Sequence, residues 1–324
     1  MEDGGCLSFP IDLLSHVIDI QSTKPNVQVR LTRVGVKNLK LNLRIVGERG
    51  SLPLFPTIDL FVDLPSDKRG VHLSRNPELL YEVLEGHSIF KSNSIEDFCG
   101  VVARRLLEKH DYSNRSEVRL RSNYVVTRKP VLGNPTPEPC KIFAAAAATK
   151  RDGDMIIQRM VGASVIGFTA CPCTQNLLRA VTEEKLRKMG YMNEDVERIM
   201  ENVPLATHTQ RTTGTVLMHV PNGFAVNIED LIDIVESSMS GKTYSLLKRP
   251  SEASVVIEAY ERPRFTEDVV REMLKAIAKK YENFPHETRV LVQAYSQESV
   301  HKHDVIAERV ATLGEIRAEL NGGA

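Results

Sequence analysis

The chain has no net charge, because its 42 Lys and Arg residues are matched by 42 Asp and Glu. That balance excludes the broad basic surface that grips a nucleic-acid backbone, although local basic clusters still suit a phosphorylated small molecule. No apolar run approaches the ~20 residues that cross a bilayer. The softest stretch, Ile142 to Thr149, is short and alanine-rich. Met1 to Gly5 lacks the basic start and apolar centre of a signal peptide, so a cytoplasmic protein is expected. Cysteines are few, and their odd number, five, argues against a secreted disulfide framework. Cys6, Cys99 and Cys140 are scattered and read as small apolar fillers, whereas Cys171 and Cys173 stand together. The familiar nucleotide motifs are missing too: no Walker loop, no Rossmann glycine fingerprint, no zinc-deaminase pattern. Phosphates, if bound, must be held by side chains.

What is present is an ordinary globular balance over 324 residues, 42% apolar and 26% charged, enough for one large domain or two smaller ones. Alternating residues predict strands over Val34 to Val46, Thr57 to Val62, Glu117 to Thr127 and Cys140 to Thr149. Helical spacing marks Pro77 to Leu84 and Ile95 to Lys109, and the proline-rich stretch Lys129 to Glu138 reads as a loop. The second half repeats the order. Strands are expected over Met155 to Thr169, Gln210 to Val220, Thr288 to Tyr295 and Ile306 to Leu313. Helices are expected from Asn227 and from Thr266. The expected class is α+β, with halves at 1–150 and 151–324. A helical hairpin is inserted at about 176–206, with one short helix capped by Thr182 and a second capped by Asn193.

Five short segments carry candidate chemistry. Cys171-Pro-Cys173 ends a strand in a rigid turn, where thiolates suit zinc or ferrous iron as well as a plain structural pair. His208, Gln210 and Arg211 enter the next long strand, with donors for a phosphate or a purine edge. His301 and His303 share one face if extended, which suits a metal. Lys248 and Arg249 suit phosphates, and Glu252 beside them suits a ligand or base. Glu267 in a first helical turn complements the dipole even without a ligand.

Taken in order, Cys171-Pro-Cys-Thr174, His208-Thr-Gln-Arg211, Leu247 to Glu252, Ala259 to Asp268 and Glu298 to His303 resemble the signature blocks of the type IB GTP cyclohydrolases. Arg69 to Arg75 is similar to that family's block in the first half. The archaeal, MptA-type branch is the nearer resemblance, because 34 residues, 174–207, separate Cys173 from His208. Ser251 stands where bacterial relatives usually carry aspartate. The resemblance implies a tunnelling fold of two tandem ββααββ units, antiparallel sheets backed by helices, closing into a barrel in a homo-oligomer (dimer or tetramer) with sites at subunit interfaces. It implies hydrolysis of GTP at C8 with loss of formate, giving 7,8-dihydroneopterin 2′,3′-cyclic phosphate and pyrophosphate for methanopterin synthesis. Sibling enzymes use zinc or manganese and make the triphosphate; the archaeal branch uses ferrous iron. A nucleotide- or metal-binding protein without turnover is the reading from another class. By the same resemblance Cys171, His208, Glu252 and His301 or His303 are metal ligands, with Cys171 and His208 essential to catalysis. Glu267 anchors the guanine edge, and Gln210, Arg211, Lys248, Arg249 and Arg75 are substrate contacts.

Overall fold

The computed structural model of the chain describes residues 19–47, 50–85 and 94–322, which leaves Cys6 outside. Alternation sets the strands. In β5 (Arg115–Arg128), Val118, Leu120, Tyr124 and Val126 are buried on one face, while Arg119 and Arg121 face outward. Three strands and a small hairpin build this region: β1 (Leu31–Lys40), β2 (Leu43–Gly47) paired with β3 (Gly50–Leu54), β4 (Thr57–Leu64) and β5. β6 (Thr136–Arg151) follows, then β7 (Asp154–Ala170), β8 (Thr209–Val220), the two-residue β9 (Gly241–Lys242), β10 (Arg289–Gln297) and β11 (Val305–Thr312). All pairings are antiparallel, in the order β1-β4-β5-β6-β7-β8-β10-β11, with β9 added beside β7.

This arrangement corrects the expected fold class. Two sheet-bearing units were anticipated; the chain has a mixed α/β fold in which one nine-stranded sheet runs through both halves. The physical reason is local. Asp152 and Gly153 both take positive φ, 52° and 89°, the conformation of a two-residue hairpin turn whose twist matches the flanking strands. The turn lays Asp154–Ser164 directly against Lys141–Arg151, so the halves share a ladder. Within the described residues the sheet is open, with β1 and β11 at its edges. The same long pairing corrects the proline-rich loop: β6 begins at Thr136 and runs through Pro137 and Pro139. Up to Cys140 it has β5 on one side only, an edge where proline's missing N–H is tolerated.

Eight α-helices are described. α1 (Arg75–Glu85) and α2 (Ile95–Lys109) belong to the first half. Ser94 caps α2 by accepting from Asp97 N at 3.2 Å, and Phe98, Val102, Leu106 and Leu107 are wholly buried. Each such side chain contributes on the order of 2 kcal/mol through burial. The second half adds α5 (Ile228–Ser237), capped by Asn227, and α7 (Thr266–Lys280), with Val269, Val270, Met273 and Ile277 inward. Gly214 of β8 lets this layer close: a Cβ there would meet Val235 Cγ1 at 2.6 Å. The insertion differs from the expected pair of short helices. α3 is one helix, Pro172–Lys188, and Thr182 sits inside it, its hydroxyl donating to Leu178 O. Gly190, at φ 94°, follows its end, and α4 covers Asn193–Asn202. No helix is long and apolar enough to cross a membrane among the described residues.

Candidate active site

Pro172 decides where β7 stops, because it has no N–H to offer the ladder and its fixed φ suits the first turn of a helix. Cys171 therefore falls between the last β7 residue and the start of α3, and is 8% exposed. Its N–H donates to His208 O at 3.1 Å, and Thr207 Oγ1 donates to Cys171 O at 3.0 Å. These bonds extend the β7–β8 pairing one step past Ala170 and Thr209, so Cys171 and His208 occupy neighbouring strand ends. Cys173 is exposed on α3, so the two thiols are not a buried pair. Ser299 Oγ lies 3.4 Å from His208 Nδ1, which brings the segment after β10 to the same place. His301 and His303 follow on that segment, both exposed, their rings stacked at 5.1 Å.

The first turn of α7 is pinned beside this point. Thr169, Thr212, Ser296 and Thr266 form a buried hydroxyl chain across β7, β8 and β10, with steps of 3.0, 2.8 and 2.8 Å. Arg264 N donates to Ala170 O at 3.0 Å, and Asp268 closes the turn by accepting from Phe265 N. Glu267 projects from that turn and is exposed. Gln210 pairs with Thr169 and shares the helix-side face with Thr212. It is 7% exposed and its Oε1 has no hydrogen-bond partner among the described residues, an acceptor that a ligand's N–H would satisfy. None of these hydroxyls stood out in the sequence, where isolated Thr and Ser in strands carry no spacing signal.

The remaining candidates are spread more widely. Arg211 lies on the opposite face of β8 from Gln210 and is exposed. The helix α6 (Arg249–Glu261) begins inside the stretch that carries Lys248, Arg249 and Glu252. Lys248 precedes its first residue, Arg249 opens it, and Glu252 stands exposed in its first turn. Arg75, at the start of α1, donates through Nη1 to Lys109 O at 2.9 Å and so ties down the end of α2. Among the described residues, no three His, Cys, Asp or Glu side chains are grouped to hold a metal ion. The structure thus joins Cys171, His208 and the Ser299 segment, sets the α7 turn against the end of β7, and leaves Glu252 on a separate helix. The donor chemistry of the joined pair, thiol and imidazole, fits a borderline divalent ion such as zinc or iron.

Known proteins sharpen this picture. Residues 17–307 match the family model described as type I GTP cyclohydrolase folE2. The GTP cyclohydrolase MptA of Methanococcus aeolicus is 44% identical over 306 residues, 93% of this chain and 99% of that protein. Its namesakes from Methanocaldococcus jannaschii and Methanothermobacter thermautotrophicus are 40% and 42% identical, over 93% and 94% of this chain and 97% of each. Among solved structures, a uricase from Bacillus fastidious has TM-score 0.52 at 9% identity, covering 90% of this chain and 97% of that one. A urate oxidase from Bacillus sp. TB-90 has TM-score 0.51 at 10% identity, covering 87% and 100%. At such identities those two share the fold alone. The family is carried by sequence along nearly the whole length, and the chain belongs to the type I GTP cyclohydrolases of the folE2 group.

Proposed function

We propose that the chain is a metal-dependent GTP cyclohydrolase that hydrolyses the guanine ring at C8 and releases formate. The observation that carries the reading is the meeting of Cys171 and His208 at paired strand ends within a family whose relatives are named for this activity. Cys171 and His208 would hold the ion, completed by Glu252 and by His301 or His303; ferrous iron is the favoured metal, zinc or manganese the alternatives. When bound, the ion supplies Lewis acidity and lowers the pKa of water toward neutrality. The chain's own residues do the rest. Glu267 offers two acceptors to the guanine N1–H and 2-amino donors, and buried Gln210 Oε1 offers a third. Lys248, Arg249, Arg211 and Arg75 supply cationic donors for the triphosphate.

The product proposed is 7,8-dihydroneopterin 2′,3′-cyclic phosphate with pyrophosphate, as the resemblance to the archaeal branch implies. The protein is inferred to work in the cytoplasm as a homo-oligomer with sites at subunit interfaces. An anaerobic GTP assay with ferrous iron, manganese or zinc, read by formate and by product mass, tests the reading. Formate and a cyclic-phosphate mass are expected, and Cys171→Ala and His208→Ala should lose both bound metal and turnover. A triphosphate product would overturn the cyclic-phosphate assignment, and no formate with any of the three metals would overturn the activity.

A further inference from the structure

The segment that carries Lys248, Arg249 and Glu252 is held from the far side of the chain. Up to Cys140, β6 pairs with β5 alone, so the two strands form an arm that leaves the main ladder. Glu138 turns inward from this arm and is 9% exposed. Its carboxyl group accepts from Ser245 N at 2.9 and 3.0 Å, from Ser245 Oγ at 2.7 Å and from Thr136 Oγ1 at 2.6 Å. Ser245 sits in irregular backbone between β9 and α6, where no carbonyl of a neighbouring strand meets its N–H; Glu138 supplies that acceptor.

Two further holds come from the same arm. Arg128 Nε binds Glu236 at 2.9 Å, and Glu236 in turn takes Lys242 Nζ at 3.1 Å, just before the segment. At the tip, Gly133 at φ 147° lies so close to α6 that a Cβ would stand 3.6 Å from Ser251 Oγ. A buried carboxyl group is a costly way to gain stability alone, since apolar packing usually does as well. It is a good way to fix one loop conformation three residues before Lys248.

We propose that Glu138 is a positioning residue that sets the Lys248–Glu252 segment for the phosphates of GTP. The proposal rests on the cyclohydrolase reading above. The test uses full-length Glu138→Gln and Ser245→Ala, each alone and combined with Lys248→Ala. Amide exchange over 243–248 is measured beside KM and kcat for GTP. Exchange in that segment should accelerate about tenfold and KM should rise about tenfold, the worth of a hydrogen bond to a carboxylate, with kcat within about threefold. Added to Lys248→Ala, either change should raise KM by less than about twofold, because both act on one interaction. Unchanged exchange would overturn the hold. Freed amides with an unchanged KM, or effects that multiply with Lys248→Ala, would overturn the positioning role. Should Glu138→Gln not fold, Ser245→Ala removes only one donor and reads the same quantities. A wild-type protein that releases no formate defeats the activity instead, while the exchange data still decide whether Glu138 holds the loop.

Discussion

Glu96 lies 1% exposed near the start of α2, with Oε2 lacking any hydrogen-bond partner among the described residues. Burial pushes its carboxyl group up to about 7, opposed by its own backbone N–H and by Ser94, raised further by Asp97, and eased by Arg159. The folded state therefore keeps a proton that the unfolded chain gives up near 4.5. Stability from this group is complete below that value and is lost as pH rises through about 7. The loss amounts to about 3 kcal/mol at most. Urea unfolding of Glu96→Gln should match wild type near pH 4 and exceed it in stability at pH 8. Equal stability of the two proteins at pH 8 would show that Glu96 is not held neutral. His110 works in the other direction: burial first, then Arg75 and His72, depress its imidazole to about 4. That contribution is lost as pH falls from the unfolded value toward 4.

At the level of elements, β8 and α5 meet where a side chain is absent. Gly214→Val would drive its Cβ into Val235 Cγ1 and Met239 Cε, at 2.6 and 2.8 Å, and Met239 is wholly buried. A loss of about 1–3 kcal/mol is expected from overpacking, measured as a lower urea midpoint. An unchanged midpoint would mean that α5 shifts freely, against its packing on β7 and β8. The elements most legible in the sequence were those with a full period of contrast. α2, α5 and α7 carried apolar stripes, and β5 and β8 alternated throughout. Pro172 placed Cys171 at the end of β7, and His208 fell just before β8, so that part of the site could be read from local rules alone. The helix α6 could not, because its buried side is only Ser251, Val255 and Ala259, too narrow and too polar to signal. The β2–β3 hairpin lacked a turn signature, and the start of β6 was hidden by prolines that only an edge tolerates. Glu138 and the hydroxyl chain escaped for a different reason: each matters through partners 30 or more residues away.

For the whole molecule, apolar side chains remain uncovered on the edge strand and on the sheet face away from the helices. Ile306 and Val310 on β11 are each 61% exposed, and Val125, Ile156 and Ile166 lie open on the broad face. Exposed apolar side chains on an edge strand and an open sheet face suit a protein–protein contact. Sedimentation should therefore give a mass that is a multiple of 36.3 kDa, and Ile306→Lys with Val310→Lys should lower it. A single species of 36.3 kDa at micromolar concentration would remove the oligomer from the account.

The hairpin at Asp152 and Gly153 has a consequence for taking the molecule apart. Cleaving the peptide there would sever no ladder hydrogen bond, yet it would turn β6 and β7 into raw borders of two separate pieces. Each piece alone would carry an unsatisfied, alanine- and valine-lined rim and would tend to precipitate. Made together in one cell, the pieces have a template of eleven matched rungs by which to find each other, and they should co-purify as a nicked but whole protein.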